Sequence, residues 1–174
     1  MNILSPKSSE LSKVLGYLET TRQLIARLEN LPPQRSFSYH YIWDRLECGT
    51  VGCVAGHLAH MRLEQEQSRP TGGLGVCSVH DRITTLFPSF LEKELGIGLP
   101  RENPLFYEYY TGLALGATEV NNTTLESYSA VGLTLAADIV AARLNAGSSG
   151  LEEALAALRV VEKYHVDHLE RISV

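Results

Sequence analysis

The sequence predicts an all-α fold: a single helical domain over residues 1–174, compact, with six or seven helices and a long antiparallel helical hairpin at its end. Three observations carry that expectation. Over residues 9–30 the apolar side chains Leu11, Val14, Leu15, Leu18, Ile25 and Leu28 recur at spacings of three, four and seven, which puts them on one helical stripe. Thr123 with Glu126, and Ser149 with Glu152, repeat a hydroxyl followed three residues later by glutamate, the pattern of a capping box. Proline and glycine stand mostly between the periodic segments, where they punctuate them.

The first helix ends at Pro32 and Pro33, because proline lacks the backbone donor and pushes the preceding residue out of helical geometry. Phe37, Tyr39, Ile42, Trp43 and Leu46 follow as a short aromatic segment, read as a helix of two or three turns seated on the core. Thr50 is placed to cap a helix over residues 51–67 with Val54, Leu58 and Met61 inward. Residues 68–75 read as a loop. Ser78 with Asp81 opens a helix that Pro88 interrupts, and a second piece over residues 90–95 stops at Gly96. Residues 102–115 carry Leu105, Phe106, Tyr109, Tyr110 and Leu113 at helical spacing. The last two helices run from 123 to 145 and from 151 to 171, and the short link at 147–150 makes them a hairpin.

Composition narrows the function classes. An apolar share of 44% with 20% charged residues is enough to bury a core without a disulfide or a metal. A net charge of -5, with lysine and arginine scattered, argues against nucleic-acid binding; Arg22, Arg27 and Arg35 form at most a small basic patch. No apolar run reaches the ~20 residues that cross a bilayer. The amino terminus shows no basic start leading into an apolar stretch. With three cysteines, an odd number, reduced thiols and a cytoplasmic location are expected.

The least ordinary stretch is Cys48-Gly49-Thr50-Val51-Gly52-Cys53-Val54-Ala55-Gly56-His57. With Thr50 as cap, Cys53 falls in the first helical turn, where the dipole and open backbone donors favour a thiolate. His57 and His60 follow at helical spacing on the same face, so Cys53 as nucleophile with His57 or His60 as base is one reading. A second is a zinc site, since Cys48, Cys53, Cys77 and His80 supply ligands that tetrahedral zinc accepts, though their spacing is not that of two tight pairs. The third is packing: Gly49, Gly52, Ala55 and Gly56 let another element approach closely, and a buried cysteine behaves as a small hydrophobe. Packing is the preferred reading, and no cofactor is expected. His165 and His168 share a face of the last helix and are read as complementing its dipole, while His40 has no evident partner. Phosphate-cradling loops, His-Glu-x-x-His and serine elbows are absent from the sequence.

The aromatic segment ending in Trp43, the core Cys48-Gly-Thr-x-x-Cys53-x-Ala-Gly-His57, Leu95-Gly-Ile97 and Leu105-Phe106 together resemble a loose group of small uncharacterised bacterial and phage proteins. The resemblance covers residues 37–106 and is specific at the ten-residue core. It implies no activity. Where such relatives place Trp at the position of His57 and lack a counterpart of Cys77 and His80, the resemblance implies that neither the thiol–imidazole pair nor the four-ligand zinc site is a shared property, which favours packing or a function of Cys48 and Cys53 that needs no histidine. The expectation is therefore a non-catalytic helical module that binds a protein partner or a small ligand, with a homodimer through an exposed helix face as one arrangement, and with the thiol enzyme and the zinc-stabilised interaction domain as alternatives.

Overall fold

The computed structural model describes residues 6–41, 43–46, 49–67, 90–97, 105, 130–147 and 149–173. In chain order these form helix α1 (Pro6–Glu29), strands β1 (Arg35–Phe37), β2 (Trp43–Leu46) and β3 (Gly49–Gly52), and helices α2 (Val54–Gln67), α3 (Phe90–Leu95), α4 (Ala130–Asn145) and α5 (Gly150–Ser173). The all-α expectation of six or seven helices is thus corrected: among the described residues there are five helices and a three-stranded mixed sheet.

The sheet forms where a helix was expected. β3 is its central strand, parallel to β1 and antiparallel to β2. Phe37 and Trp43 both register against Gly52, so two bulky aromatic residues flank a residue with no side chain. Aromatic residues suit a pleated, half-buried surface, and at this short length their spacing mimics a helical stripe. Backbone bonds extend the ladder beyond the strands: Thr50 N–H donates to Gln34 (2.8 Å), Ser38 N–H to Gly52 (3.1 Å) and Cys53 N–H to Tyr41 (2.7 Å). Thr50 lies inside β3 and caps nothing. The cap of α2 is Cys53, whose carbonyl accepts the first helical bond from His57 N–H at 2.9 Å.

From Val51 to Met61 every residue is buried, so α2 enters the core without an exposed face over its first two turns. Its buried residues share one apolar cluster with Leu24, Ile25 and Leu28 of α1, Ile139 of α4, and Ala154, Leu158 and Val161 of α5. α5 lies between α1 and α4, and alanines at 136, 154 and 157, all fully buried, let the helices approach closely. Of the expected stripe of α1, Val14, Leu18, Ile25 and Leu28 are buried, but Leu11 and Leu15 are exposed.

Local rules hold well in the helical part. Ser149 and Glu152 form the expected capping box: Ser149 N–H donates to Glu152 Oε2 at 3.2 Å and Glu152 N–H donates to Ser149 Oγ at 3.1 Å. α3 stops where expected, because Gly96 takes φ +63°. A Cβ there would also lie 2.2 Å from the Tyr17 ring. His165 of α5 donates from Nε2 to the Leu95 carbonyl at 2.7 Å, satisfying a helix-end acceptor that α3 leaves open. One buried cation ties the hairpin to the turn that follows β1. Arg143 of α4 lies 4.2 Å over the Tyr39 ring and donates to Glu153 Oε2 from Nη2 (2.9 Å) and Nε (3.1 Å). The expected helices at 78–88, at 102–115 and at 123–129 lie outside the described residues, Leu105 excepted.

Candidate functional site

The strand–helix junction positions Cys53, His57 and His60. Cys53 follows β3 and caps α2 rather than sitting in its first turn, and it is 3% exposed. Burial pushes its thiol pKa up, against the lowering effect of hydrogen bonds to the backbone at Gly56, Ala55 and Cys53 itself. The dipole argument therefore loses to desolvation. A thiol removed from water cannot be ionised cheaply even at a helix start.

His57, one turn on, is fully buried. Its Nε2–H donates to the Ser36 carbonyl of β1 at 3.1 Å, and Nδ1 has no partner among the described residues. Neither ring nitrogen bonds the Cys53 thiol. The ring stacks with Phe37 at 6.2 Å and meets Trp43 edge-on at 5.1 Å. Burial lowers its pKa to about 4, with the charges of Arg27, Arg35 and His60 adding to the shift and the Ser36 bond opposing it. It is a neutral donor that ties α2 to the sheet.

His60 stands at the rim of the same aromatic layer, 4.5 Å from the Trp43 ring and nearly parallel to it. Its Nδ1 is 2.9 Å from Arg27 Nη2 and 3.1 Å from Glu64 Oε1. Glu64 also accepts from Arg27 Nη1 at 2.6 Å and from Arg35 Nη2 at 3.0 Å. Burial lowers the pKa of His60, and the charges of Arg35 and Arg27 add to this, while Glu64 opposes it. This is a polar junction of α1, β1 and α2. Linear reading placed Arg27 and Arg35 in a loose basic patch with Arg22. The structure separates them: Arg22 pairs with Glu162 of α5 at 2.8 Å. Glu64 had no linear signal, because its partners lie 29 and 37 residues away.

Of the four residues considered for zinc, Cys48, Cys77 and His80 lie outside the described residues, and Cys53 is buried as above. Among the described residues no group of three or more His, Cys, Asp and Glu side chains could hold a metal. His165 and His168 do not converge: His165 is held on Leu95, and His168 faces Glu10 at 3.4 Å. No helix among the described residues is long and apolar enough to cross a membrane.

A second feature is open rather than sealed. Between α4 and α5 runs a groove of about 710 Å³ whose floor is Leu135, Val160 and Tyr164. Lys163 and Asp167 pair across one turn of its wall at 2.5 Å, and Arg171 Nε donates to the Asp167 carbonyl at 3.2 Å. Asp138 on α4 and Glu170 on α5 also line it, and neither forms an ion pair or hydrogen bond among the described residues. No linear motif marked this groove, since its walls come from two helices and its residue types are common.

No protein-family model, curated protein or solved structure matches the chain.

Proposed function

We propose that the chain is a non-catalytic binding module whose ligand sits in the groove between α4 and α5. The carrying observation is the contrast in access: the thiol and imidazole of Cys53 and His57 are buried, whereas the groove is open, has the volume of a small-molecule site, and offers an apolar floor with convergent polar groups. Asp138, Asp167 and Glu170 outnumber the groove's cations Lys163 and Arg171, and Asp138 and Glu170 meet Lys163 only through space, so an organic amine with an apolar body is the ligand class that fits: its ammonium pairs with these two carboxylates while its body covers Leu135, Val160 and the Tyr164 ring.

The test is ligand-observed NMR with aliphatic and aromatic amines against carboxylates of matched shape, repeated on Asp138→Asn and Glu170→Gln. Amine binding that weakens in both variants supports the reading. Equal binding of amines and carboxylates, or amine binding untouched by both substitutions, overturns it.

A further inference from the structure

His60 Nδ1 is within hydrogen-bond distance of a guanidinium nitrogen and of a carboxylate oxygen, and it can serve only one of them at a time. Facing a guanidinium, which only donates, Nδ1 must offer its lone pair; facing a carboxylate, which only accepts, it must carry a proton. When the neutral ring carries its one proton on Nε2, the choice is a protonation state. With Nδ1 bare, Arg27 Nη2–H donates to it at 2.9 Å while Arg27 Nη1 holds Glu64 at 2.6 Å, so one guanidinium clamps both side chains of α2 from α1. With Nδ1 protonated, the lone pair is spent on the added proton, the N–H points to Glu64 Oε1 at 3.1 Å, and the Arg27 donor faces another donor.

We propose that His60 is an acid-sensitive latch: taking up one proton at Nδ1 transfers it from Arg27 to Glu64 and loosens the seam where α1 and β1 meet α2. The charged and titratable groups that face it among the described residues are Arg27 from α1, Arg35 from β1, and His57 and Glu64 from α2 itself; β2 presents the Trp43 ring. The protonated state sets three cations, Arg27, Arg35 and His60, around one carboxylate. Glu64 stays charged in the relevant range: partial burial raises its pKa, but the hydrogen bond and charge of Arg27, with His60 and Arg35, hold it below the ordinary glutamate value. The bond lost is the one from Arg27 Nη2; Nη1 keeps Glu64, and with Nε unbonded the guanidinium is then held by that one contact among the described residues. The latch is independent of any ligand in the α4–α5 groove.

The structure carries its own reporter, since Trp43 is the one tryptophan in the chain and stacks on His60. Imidazole ¹⁵N NMR of the whole protein, titrated downward from neutral pH, reads the tautomer and the pKa of His60, with Trp43 fluorescence and amide exchange in β1 and the start of α2 followed alongside. The expected result is an Nε2–H tautomer at neutral pH, a His60 pKa below 6.5, and a step in fluorescence and exchange that follows His60. Arg27→Gln should raise that pKa and Glu64→Gln should lower it further. His60→Gln, which can accept from Arg27 but cannot take up a proton, should remove the step at the His60 midpoint. An Nδ1–H tautomer at neutral pH, or a His60 titration with no accompanying change in exchange, overturns the latch, and both are read on the unsubstituted protein even where a variant fails to fold.

Discussion

The strand–helix junction around α2 and the helical hairpin of α4 and α5 use polar residues in opposite ways. At the junction, the residue types that carry chemistry are buried: Cys53 is 3% exposed, and His57 is fully enclosed under Phe37 and Trp43. In the hairpin, common residues such as Asp138, Lys163 and Glu170 line an open groove. Reactivity follows environment more than identity. A thiol and an imidazole out of water are pushed toward their neutral forms, while a surface carboxylate beside an apolar floor keeps its access to a ligand.

The largest expected effect breaks the junction. Trp43→Ala removes the ring that packs against both His57 and His60, and should cost about 4 kcal/mol in chemical denaturation. The same experiment should show that alkylation of Cys53 speeds up. A cost under about 1 kcal/mol would mean that the aromatic layer does not seal the site.

Acid comes next. Because the folded-state pKa of His57, about 4, lies below its unfolded value of 6.5, the unfolded chain takes up a proton first as pH falls. The stabilisation is therefore fully present above pH 6.5 and is lost progressively down to about pH 4, by about 3 kcal/mol for this residue. His60 and His165, both lowered chiefly by burial, act in the same direction. Denaturation midpoints measured from pH 7 to 4 check the sign, and His57→Gln should flatten the dependence. A midpoint that rises on acidification would contradict the buried, neutral state of these rings.

Cys53→Ser should cost about 1–2 kcal/mol, because a hydroxyl has a larger desolvation penalty than a thiol, and native Cys53 should alkylate slowly across pH until the protein unfolds. Fast alkylation well below the ~8.5 of an ordinary thiol would restore the nucleophile reading. The smallest stability effects belong to the groove. Asp138→Asn and Glu170→Gln should change stability by less than about 0.5 kcal/mol while weakening amine binding about tenfold. Such a separation of binding from stability would sharpen the contrast between the two regions.

What was legible in the sequence and what was not divides along the same line. α1, the stop at Gly96, and the Ser149–Glu152 box opening α5 could be read because each depends on residues within one or two turns. The three strands could not. Their pairing joins Arg35–Phe37 to Gly49–Gly52 across an intervening strand, and the aromatic spacing from Phe37 to Leu46 fits a helix about as well as a strand. That misreading shifted the cap from Cys53 to Thr50, and with it the expected ionisation of the thiol.

By itself, then, the sequence determined the helical hairpin, the Ser149–Glu152 cap and the stops after α1 and at Gly96, since backbone donors near a helix end are satisfied by neighbours in the chain. Only the tertiary structure decided the charge states of Cys53, His57 and His60, the partners of Glu64, and the groove beside Tyr164. Burial and ion pairing join residues tens of positions apart, and desolvation depends on everything packed around a group, so no linear pattern records it.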